Sequence, residues 1–93
     1  MDKIEAKRNA KQTIDDLFAT INELEEKAKK ADESRRVELQ KKVENLKSKK
    51  EDIKKKYEKL QNVGDESLAV IQKAFDDTAE IFKNTITEIR NRF

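Results

Sequence analysis

Residues 60–68, LQNVGDESL, contain the only glycine of a 93-residue chain that has no proline. Gly64 can adopt the left-handed backbone conformation that ends a helix, and Asp65 can cap the helix that follows. A connection this short joins helices that lie antiparallel beside one another. The sequence therefore predicts a helical hairpin that turns at residues 62–65.

Apolar residues recur at alternating spacings of three and four on both sides of this turn, which is the pattern of a helix that packs along one face. We call each such line of residues a seam. The seam of the segment before the turn, residues 35–61, consists of Leu39, Val43, Leu46, Lys50, Ile53, Tyr57 and Leu60. The seam of the segment after it, residues 65–92, consists of Leu68, Ile71, Phe75, Thr78, Phe82, Thr85 and Ile89.

Antiparallel pairing about the turn gives a register for the hairpin. We predict that Tyr57 lies opposite Ile71 and that Lys50 lies opposite Thr78. The second contact joins the polar members of the two seams, and such a match would fix the register.

A third seam, from Ile14 to Ala31, predicts a first helix over residues 3–31. Residues 27–38 contain turn formers but no Gly, Pro or Asn, so two all-α architectures stay open. The first is an antiparallel up-down-up three-helix bundle in a single domain, about 45 Å long at 1.5 Å per residue. The second is one long helix over residues 3–61, with helix 65–92 folded back on it, that pairs with another chain. The bundle is favoured because it buries Leu17, Phe18 and Ile21 without a partner.

Composition excludes most chemistry. The chain has no His and no Cys, which removes the usual general acid–base groups, zinc ligands and activated nucleophiles. We therefore predict no enzyme activity, no cofactor and no metal. Basic and acidic residues nearly cancel, at 22 against 20, so a globally basic nucleic-acid binder is not expected. No apolar run is long enough for a signal peptide or a membrane span, so we expect a soluble, cytoplasmic protein.

Lysines are concentrated before the turn. In the heptad of residues 35–61 the e, f and g positions hold seven lysines and no acid, and the b and c positions hold mostly acids, which predicts a lysine stripe on one flank of the helix. It would dock to phosphates, anionic lipid or an acidic protein surface. The alternative is a solvated face, in which acids four residues before a lysine pair with it and lysine stems cover Ala74 and Ile81. The stripe consists of Lys41, Lys42, Lys47, Lys49, Lys54, Lys55 and Lys56.

The run KYEKLQNVGDESLAVIQKAFDDTAEIFKNTITEIRNRF, residues 56–93, resembles the C-terminal half of small bacterial coiled-coil proteins of unassigned function. The resemblance covers residues 35–93 and implies a helical hairpin without known chemistry. It departs from that group at Phe75 and Phe82, where a tryptophan would be expected in the last helix.

We predict a structural or protein-interaction module that acts by helix–helix packing, with itself or another helical protein as partner. The alternatives are an amphipathic binder of anionic membrane surfaces and weak, nonspecific nucleic-acid binding through the lysine stripe.

Overall fold

The computed structural model describes residues 3–93. In it the chain folds as an antiparallel bundle of three helical arms that measures 51 × 17 × 17 Å. No strand occurs in that range. The all-α class and the three-helix bundle predicted from the sequence are confirmed. The elements are α1 (Lys3–Lys29), α2 (Glu33–Lys47), α3 (Lys50–Asn62), a 3₁₀ turn (Asp65–Ser67) and α4 (Leu68–Arg90).

The chain reverses between α1 and α2, so the long helix over residues 3–61 is not formed. The carbonyl of Asp32 accepts the backbone N–H groups of Arg35 and Arg36 at 2.9 and 2.8 Å, which starts α2. α1 then lies beside α3, where Lys7 Nζ donates to the carbonyl of Gln61 at 2.6 Å and Gln61 Nε2 donates to the carbonyl of Lys7 at 3.1 Å. This reciprocal pair joins residues 54 positions apart in the sequence.

The middle arm consists of α2 and α3, which are separated at Ser48 and Lys49, whereas the sequence predicted one helix over residues 35–61. Ser48 Oγ donates to the carbonyl of Asn45 at 2.6 Å, and the Lys49 N–H donates to the carbonyl of Leu46 only three residues back. A hydroxyl that bonds to the preceding turn commonly bends a helix in this way. Both residues keep right-handed helical backbone angles.

The turn before α4 differs in detail from the prediction. Gly64 is extended, with φ −85° and ψ 174°, and does not adopt the left-handed conformation. Val63 is also extended, so two extended residues reverse the chain. Asp65 does not cap α4; it begins the 3₁₀ turn, and its carboxylate lies 3.9 Å from Lys3 Nζ.

A single apolar core runs the length of the bundle and joins all the helices. Each of the three predicted seams supplies it. Its fully buried large side chains come from all three arms: Ile21, Leu24, Leu39, Val43, Leu46, Ile53, Leu60 and Phe75. The first arm therefore buries its seam within the chain.

The register of the hairpin is different from the predicted one. Thr78 Oγ1 accepts a hydrogen bond from Lys56 Nζ at 2.8 Å, and Lys50 Nζ instead lies 4.5 Å from the centroid of the Phe18 ring. Tyr57 packs against Phe75, with ring centroids 6.3 Å apart. The prediction treated the hairpin as two helices, but Lys50 faces α1, where a cation–π contact satisfies its ammonium group.

Candidate interaction surface

The seven lysines of the predicted stripe do not form one surface. Lys47 faces α1, where its Nζ lies 2.9 Å from Glu25 Oε2. Lys41 lines a groove between α1 and α2 together with Ala28 and Val43. Lys54 and Lys55 are exposed on α3.

Lys42, Lys49 and Lys56 lie on the opposite side of the middle arm and face α4. The reason is helical geometry: the e and g positions of a heptad flank the seam on opposite sides, and the b, f and c positions lie between them on the outer surface. Acids and lysines therefore alternate around the arm. The prediction of a basic stripe on one flank and acids on the other was wrong.

Two of the seven lysines are committed to contacts within the bundle. The hydrogen bond between Lys47 and Glu25 raises the pKa of the lysine and lowers the pKa of the glutamate. Lys56 Nζ donates to Asp52 at 3.2 Å as well as to Thr78. Neither ammonium group is a free docking site for an anion.

An exposed apolar row runs along the outer side of α4. It consists of Val70, Ala74 and Ile81, and Val70 and Ile81 are 72% and 58% exposed. The spacings of four and seven residues place all three on one line of the helix surface. Coverage of Ala74 and Ile81 by lysine stems was the alternative to a docking stripe, and Ile81 is too exposed for that interpretation. We call these three residues the α4 row.

An open groove lies between the middle arm and α4, with a volume of about 260 Å³. Lys42 and Lys49 line it from the middle arm, and Glu88 and Arg92 line it from the C-terminal end of the chain. Ile89, which is buried, forms part of its floor. We call it the α4 groove.

A cluster of metal-ligating side chains is not found in the part of the chain that the structure describes. Over residues 3–93, no three acidic side chains come close enough together to hold a metal ion. In the same range, none of the helices combines the length and the apolar character needed to span a bilayer.

The fold and surface thus define a three-helix bundle with one exposed apolar row beside a cationic groove. Neither a protein family, nor a curated protein, nor a solved structure matches the chain. The resemblance to small bacterial coiled-coil proteins stays a prediction.

Proposed function

We propose that this protein is a non-enzymatic interaction module that binds a helix of another protein on the α4 row. The observation that supports the proposal is the row itself: three apolar side chains on one line of a helix whose other apolar face is already buried in the core. A cytoplasmic location, expected from the sequence, is part of this proposal.

The dimensions of the row suit a docked helix. Val70 and Ile81 are eleven residues apart, or roughly 16 Å at 1.5 Å per residue, which is about three turns. Ala74, between them, is small enough to let a partner backbone approach closely. A helix with apolar residues at the same spacings would pack along the row by ridges into grooves.

Charge near the row favours a protein over an anionic lipid surface. Asp77 lies on the same line of α4, between Ala74 and Ile81, and its carboxylate is paired with Lys73 Nζ at 2.9 Å. This ion pair leaves the row without net positive charge, and the lysines of the predicted stripe, which could attract anionic headgroups, are divided between two sides of the bundle. Because the stripe lysines do not form one continuous surface, they do not favour nucleic-acid binding either. Membrane binding and nucleic-acid binding both stay predictions.

Site-specific photocrosslinking tests the proposal. A benzophenone amino acid would replace Ile81 in the protein expressed in its source cells, and the control would carry it at Val37, which is 75% exposed on α2. We expect a discrete adduct from position 81 that position 37 does not give. The adduct partner would then be purified and its affinity measured by calorimetry.

Substitution at the same two positions completes the test. Ile81→Gln should weaken binding of the purified partner about tenfold, because docking removes roughly half of an isoleucine side chain from water. Val37→Gln should leave the affinity unchanged. Equal adducts at both positions, or an Ile81→Gln variant that binds as tightly as the parent, would contradict the proposal.

A further inference from the structure

The α4 row and the α4 groove adjoin each other. Thr78 and Thr85 mark the side of α4 that faces the middle arm, since Thr78 bonds Lys56 and Thr85 lines the groove with Lys42 and Lys49. The Thr78 hydroxyl donates to the carbonyl of Ala74 at 3.0 Å, and the Thr85 hydroxyl donates to the carbonyl of Ile81 at 2.9 Å. Ala74 and Ile81 are thus each one turn from a threonine on the side of α4 that faces the middle arm, and a helix docked on the row that extends past Ile81 runs beside the groove, which lies along residues 85–92.

The groove has an excess of positive charge that the bundle does not neutralise. Its lining includes three cationic side chains and one acid, Glu88. Arg92 is paired with Glu38, at 3.2 Å. Lys42 and Lys49 form no ion pair within residues 3–93. This distinguishes them from Lys47 and Lys56, which have acidic partners.

From this arrangement we infer that the docked helix is acidic, with carboxylates along one flank that bind Lys42 and Lys49. The inference rests on the proposed function and adds the chemical class of the partner. The partner helix presents apolar side chains to the α4 row and Asp or Glu side chains to the groove. Because Lys42 and Lys49 are seven residues apart, two carboxylates one heptad apart on the partner would meet both of them.

The outer face of α1 in a second copy of this chain does not match the surface. The outer face of α1 carries exposed acids seven residues apart, Asp16 and Glu23, but the side chain between them is only Ala19. That face offers no line of larger apolar residues to place on Val70 and Ile81. An amphipathic helix of a different protein meets both requirements.

Three synthetic helical peptides test the inference. Each is about three heptads long with the same Leu/Ala seam, and the flank beside the seam carries Glu, Gln or Lys. Binding to the full-length chain is followed by amide chemical shifts at low salt. We expect the Glu peptide to bind about fivefold more tightly than the Gln peptide for each ion pair formed, and the Lys peptide to bind most weakly. The shifts should map to Ala74, Ile81 and Lys49.

Charge reversal provides the matched control. Lys49→Glu should remove the advantage of the Glu peptide and favour the Lys peptide, whereas Lys41→Glu, on the α1 side of the arm, should not. Both positions are exposed, circular dichroism verifies that the variants are folded, and Lys49→Gln serves as a milder form of the same change. The preference should also shrink between about 50 mM and about 500 mM salt, as expected of exposed ion pairs.

The outcomes separate the inference from the proposed function. If the Glu and Gln peptides bind equally and shift the α4 row, the acidic partner is excluded and helix docking stands. If no peptide binds at about 1 mM, both are overturned. If dilution of the chain alone moves the same resonances, a second copy occupies the row and the inference is wrong.

Discussion

Truncation of Ile21 measures how well the first arm is enclosed by the rest of the chain. Ile21 is fully buried near the middle of α1. Ile21→Ala removes three carbons, worth roughly 0.8 kcal/mol each by transfer, and leaves a cavity that increases the cost. We expect the free energy of unfolding to fall by about 3 kcal/mol, since large-to-small changes in a core cost about 2–5 kcal/mol. Val37→Ala, at an exposed position of α2, is the matched control and should change it by less than about 0.5 kcal/mol.

Urea denaturation followed by circular dichroism gives these values, and thermal scans should show the melting temperature of Ile21→Ala lowered by about 12–24 °C. Because α1 is buried by its own chain, the midpoint should not change over about a hundredfold range of protein concentration. A loss below about 1 kcal/mol, or a midpoint that rises with concentration, would show that α1 is not enclosed as described.

Three further changes test local contacts. Gly64→Ala should stabilise the protein by about 0.4–1 kcal/mol in urea titrations, because the extended backbone there suits alanine and its Cβ would meet nothing within 4 Å. Thr78→Val should lower the free energy of unfolding by about 1 kcal/mol or less. It removes the hydroxyl that accepts a hydrogen bond from Lys56, but the Lys56 ammonium still bonds to Asp52 and is open to solvent. Glu25→Gln should lower stability at neutral pH only. The lowered pKa of Glu25 means that the contribution of its pair with Lys47 is present above pH 4.5 and is lost as acid protonates the carboxylate, so denaturation curves of the variant and the parent should converge at low pH.

The helices and their buried faces could be read from the sequence because the period of apolar residues is a local property. Leu39, Val43, Leu46, Ile53 and Leu60 were assigned to one seam, and all five are buried. The break at Ser48 does not change which seam residues are buried, because the backbone on both sides stays helical and the seam continues across the break.

The register could not be read in the same way. If the two helices of a hairpin slide past each other by about one turn, apolar residues still lie opposite apolar residues, so the pattern alone does not select one register. The contacts that distinguish the registers involve other parts of the molecule: Lys50 over Phe18 of α1, and Lys7 with Gln61. A comparison of the two hairpin helices alone includes neither contact, because both contacts involve α1.

The α4 row could not be predicted from the sequence either, because the exposure of its residues depends on how the helices pack. Ala74 and Ile81 widen the apolar face of the last helix, and a sequence does not show whether a neighbour covers the added width. In the bundle Phe75 and Phe82 are buried, and Ile81 stays largely in solvent. Lysines at the e, f and g positions are close together in the sequence but lie on different sides of the helix, so they do not form one flank.

The closed bundle is the central claim, because only a bundle that buries the α1 seam leaves the α4 row as the surface for a partner. Single-molecule energy transfer tests it most directly, with dyes on Arg8→Cys and Asn62→Cys in a chain that has no other cysteine. Both positions are exposed, and each neighbours one residue of the pair Lys7 and Gln61. At the extreme dilution of the experiment, we predict high transfer efficiency, corresponding to helix axes that lie about 10 Å apart. A separation near 80 Å, the length of one continuous helix at 1.5 Å per residue, would contradict the account.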